Sequence, residues 1–412
     1  MNKQVSHIPS GYKPSPLGPI PEDWEVKRLG DLCENKGDYG LNAPATDYSV
    51  NLPTYLRITD IDDNGNFIHS AKKSVDNLSA KEYYLKDGDI VFARTGATVG
   101  KTYLYDVRDG QLVYAGFLIK FSPNPNKLIP YYLKAHTETK DYTNWVAITS
   151  QRSGQPGINA AEYCSLKLAI PPIEEQERIC NVLQLWDTAI AKQTALIEKL
   201  TLRKRGLMQQ LLTGKKRLKG FGGEWERIKA GEIFKSISVK GNGLEVLLSA
   251  TQEHGVIPRD QLEGRVTMPT GDTNSFKLVE VGDFVISLRS FQGGLEYSEH
   301  RGIVSPAYTV LKPIVEIDKF FYRYYFKSAE FIGHLAIAVI GIRDGKQISY
   351  EDFCFVKIPY PNIKEQKAIS SVLLQADKEI EIHKQKLAAM QEQKRGLMQV
   401  LLTGKKRIIN KI

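Results

Sequence analysis

The fourteen residues Lys204–Arg217, KRGLMQQLLTGKKR, return at Lys394–Arg407 as KRGLMQVLLTGKKR, with one substitution and an offset of 190 residues. The register holds upstream without a gap to Glu175-Gln176 and Glu365-Gln366. The pairs Ile179/Ile369, Val182/Val372, Leu183/Leu373, Asp187/Asp377 and Ile190/Ile380 are kept. A chain repeated over such a span is two similar units joined head to tail, and it must fold as a duplication. The upstream parts agree more loosely. Asp23-Trp24-Glu25 with Gly30-Asp31-Leu32 matches Glu224-Trp225-Glu226 with Gly231-Glu232-Ile233, and Gly88-Asp89-Ile90-Val91 matches Gly282-Asp283-Phe284-Val285. Each unit thus reads as a variable globular part followed by a more uniform helical part.

The helical parts are bounded by proline upstream, at Pro171-Pro172 and Pro361, and by Gly214 and Gly404 downstream. About 40 residues lie between, a helix of roughly 60 Å at 1.5 Å per residue. A heptad seam runs through Leu183, Ile190, Ile197, Lys204 and Leu211, alternating with Ile179, Trp186, Gln193, Leu200 and Leu207. Its second copy is Leu373, Ile380, Leu387, Lys394 and Leu401 with Ile369, Ala376, His383, Met390 and Leu397. Four heptads of this kind predict a coiled coil, in preference to a helix packed on its own globular domain. Both copies break the seam at the same places, Gln193 and His383, then Lys204 and Lys394. Two such helices can satisfy each other antiparallel about a pseudo-twofold axis, with Gln193 and His383 near the crossing and the globular parts at opposite ends of a rod. A polar seam residue lowers stability but fixes register.

The globular parts read as mixed α and β. Asp89–Ala93 and Asp283–Ser287 are short apolar runs typical of buried strands, and clusters such as Pro123–Pro125 and Gly154–Gly157 mark loops. Their strand order is not legible. The expected fold class is α+β: two mixed domains and two long helices with an internal pseudo-twofold repeat. The boundaries fall at 1–172, 173–218, 219–362 and 363–412.

The formal net charge of +9 favours a polyanionic partner, nucleic acid before membrane. Cys33, Cys164, Cys180 and Cys354 are scattered and form no CxxC pair, so neither zinc nor a disulfide framework is indicated and a reducing cytoplasm is expected. The proline-rich start lacks the apolar core of a signal peptide, and no run of about 18 apolar residues predicts a membrane span. Thr95–Thr102, TGATVGKT, imitates a phosphate-binding loop, but three residues rather than four separate Gly96 from Gly100, and the second unit has no GKT. A glycine-rich loop beside Arg94 or Arg289 could instead approach a DNA backbone. The basic runs Gly214–Arg217 and Gly404–Arg407 complement helix C-termini, meet phosphates or another subunit, or simply cap the helices in solvent. No motif for a flipped amino base, no dinucleotide fingerprint, nucleophile elbow, HExxH or paired-carboxylate nuclease core is present.

These features resemble the specificity subunit of type I restriction–modification enzymes. The resemblance is carried by the GxIPxxW-like start Gly18–Glu25, by Pro171-Pro172-Ile173-Glu174-Glu175-Gln176 leading into a helix, and by the duplicated KRGLMQxLLTGKKR ends. It spans essentially the whole chain. It implies two target-recognition domains, each reading one half of a split double-stranded DNA target, and helical regions that set the spacing and dock two methyltransferase subunits. By the same resemblance S-adenosylmethionine and ATP belong to partner subunits, restriction subunits complete the complex, and this chain holds neither cofactor nor catalytic residue. Some family members tune spacing with a four-residue repeat; Thr194-Ala195-Leu196-Ile197 is at most a vestige of it, so that mechanism is not carried over. Candidate DNA-facing residues come from polar and basic loops: Arg94, Lys101, Gln151, Arg152, Arg289, Gln292, Arg343 and Lys346. Arg152-Ser153-Gly154 and Arg343-Asp344-Gly345 hold matching places before the helices. Two other readings stay open, a stand-alone DNA-binding regulator or architectural protein of the same shape, and an enzyme using the GKT loop.

Overall fold

The short apolar runs become the centres of two sheets with one topology. In the computed structural model, which describes residues 8–262, 273–287, 293–338 and 348–408, the chain divides into two compact units. One is Met1–Lys192 with Leu387–Ile412, and the other is Gln193–Lys386. Each therefore combines a globular part with one half of each long helix.

In the first unit, β1 (Asp38–Tyr39), β2 (Ile90–Ala93), β3 (Thr102–Leu104) and β4 (Leu118–Phe121) form an antiparallel sheet in the order β1-β4-β2-β3. Strand periodicity sends alternate residues to opposite faces. Ile90, Phe92, Ile119 and Phe121 join Trp24, Tyr132 and Tyr163 on one face. Val91, Ala93 and Leu118 join Leu56, Leu112 and Tyr114 on the other. Because both faces are covered, β2 is apolar throughout, and burying a side chain such as Phe92 contributes about 1.5–3 kcal/mol. In the second unit, β5 (Phe234–Ile237), β6 (Phe284–Ile286), β7 (Glu296–Tyr297) and β8 (Thr309–Pro313) repeat the arrangement as β5-β8-β6-β7. Phe284, Ile286 and Leu311 pack with Phe321, Tyr322 and Phe326. Val285 and Val310 pack with Val256 and Val304.

A two-stranded ladder leads into each long helix: Glu25–Arg28 with Lys167–Ile170, and Glu226–Lys229 with Lys357–Tyr360. Past the prolines, the central helix runs Ile173–Leu211 and the C-terminal helix Ile363–Leu401. Asn362 opens the latter by accepting the Glu365 N–H at 2.9 Å. Both end before a left-handed glycine, Gly214 and Gly404. A Cβ on Gly404 would lie 2.5 Å from the Pro21 ring, so close packing as well as conformation demands glycine there.

Within each unit the two helix halves pair antiparallel. In the first, Lys394 binds Asp187 at 2.6 Å, and Ile179 and Leu183 share a core with Met398, Leu401 and Leu402. In the second, Gln193 meets His383, Arg203 meets Glu379 and Lys204 meets Asp377, partner numbers falling as the first numbers rise. The seam is the covered face. Ile179, Leu183, Leu200, Ile369, Leu373 and Ile380 are buried, while Trp186, Ile190, Ile197, Leu207, Leu387, Met390 and Leu397 are half-buried. This is the antiparallel coiled coil the heptads predict.

Each polar break in the seam has a partner. The Gln193 amide donates to Nδ1 of His383 at 2.8 Å and to its carbonyl at 2.9 Å. Lys394 lies between Asp187 and Glu138, the latter 3.0 Å away. Burial alone would push its ammonium down, but the two carboxylates outweigh that and hold it above the usual lysine range. Asp187 also accepts the Tyr131 hydroxyl, as Asp377 accepts that of Tyr324 at 2.6 Å.

The basic runs beyond the helices divide in a way the sequence did not reveal. Their lysines are exposed. Arg407 turns inward as a fork onto Glu175 (2.6 and 3.1 Å) and reaches Asp23 at 2.6 Å. Arg217 forks onto Glu365 with both contacts at 2.6 Å. The indoles of Trp24 and Trp225 donate to the same two carboxylates, each at 3.0 Å. Glu175 and Glu365 are wholly buried, so these guanidiniums supply the counter-charge their burial requires. The neighbouring glutamines clamp the globular parts. Gln176 accepts from the Ile129 amide at 3.0 Å, and Gln366 from the Asp318 amide at 2.8 Å.

Candidate nucleic-acid interface

The first sheet delivers a charged and aromatic surface where β2 ends. Arg94 follows the last residue of β2, and its guanidinium stacks over the Tyr39 ring at 5.0 Å. Tyr39 ends β1, and its hydroxyl accepts from the Ala160 amide at 3.2 Å. Phe117 precedes β4, and its carbonyl accepts the Arg94 amide at 3.0 Å. Phe117 is 57% exposed and Tyr39 43%, so two large rings face solvent beside a cation.

A polar loop is fastened to the same strand end. Gly96 donates to the Pro156 carbonyl at 2.9 Å, and Ile158 donates to the Arg94 carbonyl at 2.8 Å. Gly96 has φ +78°, and a Cβ there would lie 2.9 Å from the Gln155 amide nitrogen, so glycine lets the two loops meet. Residues 151–156 are all exposed. Arg94, Gln151 and Arg152 therefore belong to connected segments. Arg152 is engaged within its own loop. It forks onto Glu162 at 2.6 and 2.7 Å and donates to the carbonyls of Thr149 and Gln151. Glu162 also caps its helix through the Asn159 amide. Lys101 turns elsewhere, to the Ile61 carbonyl at 3.1 Å and Asp63 at 2.9 Å. The GKT lysine is thus tied to a protein carboxylate, and among the described residues no cluster of metal ligands stands near it. Arg289, Gln292, Arg343 and Lys346 lie outside the described residues.

Sequence reasoning missed Tyr39, Phe117 and Gln155. They carry no periodicity or motif, and only the folded sheet brings them beside Arg94. Both units also expose apolar side chains along their helices. Leu185, Leu202 and Ile382 are exposed, and a shallow cleft of about 400 Å³ is lined by Arg203, Leu207, Val372, Gln375 and Glu379 of the second unit. Among the described residues, no helix is long and apolar enough to cross a membrane.

Residues 21–202 and 222–392 each match the model of the type I restriction modification DNA specificity domain. The chain belongs to that family. Two such specificity domains, one in each repeat, account for the duplication. Relatives include a putative type I restriction enzyme MjaX specificity subunit and the MjaVIII specificity subunit, both of Methanocaldococcus jannaschii. They are 28% and 26% identical over 96% and 95% of this chain, and over 97% and 95% of their own lengths. Two solved chains share the fold. One comes from a study of complex assembly and conformational transition of the type I R-M system (TM-score 0.58, 18% identity, 94% of this chain and 99% of that one). The other is the S subunit of the type I restriction-modification system of M. genitalium (TM-score 0.53, 15% identity, 92% and 96%). Members of this specificity family are the DNA-recognition components of restriction–modification complexes and are not their catalysts.

Proposed function

We propose that this specificity subunit reads an asymmetric, bipartite sequence in double-stranded DNA and docks two methyltransferase subunits on its helices. The observation that carries the reading is the contrast inside the duplication. The two units repeat the same helix clamps and the same sheet order, yet differ in sequence after the central strand, RTGATVGKT in the first and LRSFQGG in the second. A common scaffold with unlike outward faces suits a reader of two unlike half-sites, because base edges are read by side chains while phosphates supply most of the affinity. The exposed Leu185, Leu202 and Ile382 and the cleft beside Arg203 support a partner on the helices. S-adenosylmethionine and ATP belong in this reading to partner subunits, restriction subunits join the full complex, and the setting is the cytoplasm.

The test is a map of N6-methyladenine across the source genome with and without this gene. Loss of one split, asymmetric motif is the expected result. An unchanged methylome, together with purified protein that binds DNA but retains no methyltransferase subunit, would favour a stand-alone regulator.

A further inference from the structure

We propose that Arg94, Phe117 and Tyr39 form the base-reading unit of the first recognition domain. Arg94 donates to a guanine edge, Phe117 packs on the adjoining base, and Tyr39 is a positioning residue that aims the guanidinium. The proposal rests on the DNA-recognition reading above and adds which residues contact bases and what they select.

Three observations lead to it. First, Arg94 is charged and pre-aimed but carries no ion pair among the described residues. The nearby carboxylates are already engaged, Glu162 by Arg152 and Asp38 by Lys120 and Asn35. A guanidinium stacked on a ring keeps its outer N–H groups free and loses little freedom on binding. That is the state needed for a bidentate contact to O6 and N7 of guanine. Second, a lone exposed phenylalanine is ordinary, but a backbone hydrogen bond ties the Phe117 turn to Arg94. The Gly116 amide, donating to the Leu41 carbonyl at 2.8 Å, holds the same turn. An apolar side chain beside a guanine-reading arginine fits the 5-methyl group of a neighbouring thymine.

Third, the scaffold does not require these residues. Ile90 pairs with Phe121 in the first sheet and Phe284 with Leu311 in the second. Counting from these partners puts Ala307 at the place of Phe117. Likewise Tyr39 pairs with Ile119, and Ile237 pairs with Val310, so Ser238 takes the place of Tyr39. In sequence register Leu288 aligns with Arg94, and Arg289 follows it. The second unit builds the same sheet with serine and alanine at the places of Tyr39 and Phe117. The aromatic pair beside Arg94 therefore serves something peculiar to the first unit, and a polyanion whose half-sites differ is the partner that fits a chain of charge +9.

The experiment is a methylome comparison of strains carrying the full chain with its natural partner subunits, as wild type or as Arg94→Lys, Arg94→Ala, Phe117→Ala, Tyr39→Leu and Tyr39→Phe. Arg94→Ala is expected to relax one G·C position of one half-site by roughly 10- to 100-fold. Arg94→Lys should do so partially, and Phe117→Ala should relax an adjacent position by a smaller factor. Tyr39→Leu should reproduce a weakened Arg94→Ala pattern, with Tyr39→Phe restoring the wild-type motif because it keeps the ring. The other half-site and the spacer should not change. Equal weakening at every site with Arg94→Ala would make it a phosphate contact and overturn the proposal. So would an altered second half-site, or an unaltered motif in all variants at wild-type protein levels and melting temperature. A wild-type methylome with no split motif dependent on this chain would instead overturn the specificity reading itself, and the base-reading unit with it.

Discussion

In the first unit Trp24 and Arg407 close over Glu175, and in the second Trp225 and Arg217 close over Glu365. Asp187 takes a tyrosine hydroxyl and a lysine, and so does Asp377. At the outer ends of the central strands this agreement stops. Ser238 and Ala307 hold, in the second unit, the register positions that Tyr39 and Phe117 hold in the first. The difference separates two kinds of requirement. A buried carboxylate must have its counter-charge wherever the helix meets a sheet, so that chemistry is kept in both copies. The strand-end loops need only connect, so their side chains are free to differ, and that is where two distinct sequences can be told apart.

The comparison can be broken first at the clamps. Arg407→Ala and Arg217→Ala each strand a buried glutamate, and each should destabilise by about 3 kcal/mol. Denaturant unfolding checks this. Equal losses would confirm equivalent clamps, whereas a loss at one site only would show that the repetition is geometric and not energetic.

A comparable effect should come from acid, and it is specific to the first unit. His136 packs edge-on to Tyr132, and its Nε2 is enclosed; burial pushes its pKa down to about 4. The unfolded value is about 6.5. The folded value is the lower one, so this contribution is complete above pH 6.5, is lost as pH falls towards 4, and is flat below. The loss should be about 3 kcal/mol. Melting temperatures from pH 7 to 4 should show it, and His136→Phe should remove that part of the slope.

The seam lysines sharpen the comparison further. Lys394 serves two carboxylates and is more buried than Lys204, which serves Asp377. Lys394→Met should cost about 1–2 kcal/mol and Lys204→Met about half as much, by denaturant titration. Smallest, and of opposite sign, is Gln193→Leu with His383→Leu. Replacing a hydrogen-bonded pair by apolar side chains should raise the melting temperature, by about 0.5–1 kcal/mol of stability, while loosening the register. Interhelical crosslinking by paired cysteines would detect the slippage, and a clear loss of stability would deny the pair its register role.

Much of the scaffold was legible because duplication repeats its own signals. The seam, its two polar interruptions and the proline boundaries each occur twice, and chance rarely repeats a heptad break at the same register. The sheet order was not legible, since β1 and β4 are about 80 residues apart and four short strands carry no pairing code. The arginines of the basic runs were misjudged as a helix cap or a phosphate contact. Their partners lie 148 and 232 residues away, and nothing in a KKR run says which residue turns inward. Of the proposed DNA-facing residues, Arg94 is half-buried beside two exposed rings and Gln151 lies in an exposed loop. Arg152 and Lys101 are held by carboxylates. Tyr39 and Phe117 were invisible because an exposed ring leaves no pattern in a sequence.

The first unit is assembled from both ends of the chain, since Gly404 accepts the Tyr12 hydroxyl at 2.7 Å and Arg407 closes over Glu175. During synthesis the second unit, continuous from Gln193 to Lys386, has all its parts once Lys386 leaves the ribosome. The first waits for the final residues, with Ile179 and Leu183 lacking Met398, Leu401 and Leu402 until then. A premature stop near residue 390 would therefore spare the later-made half and leave the earlier-made half as a substrate for chaperones and proteases.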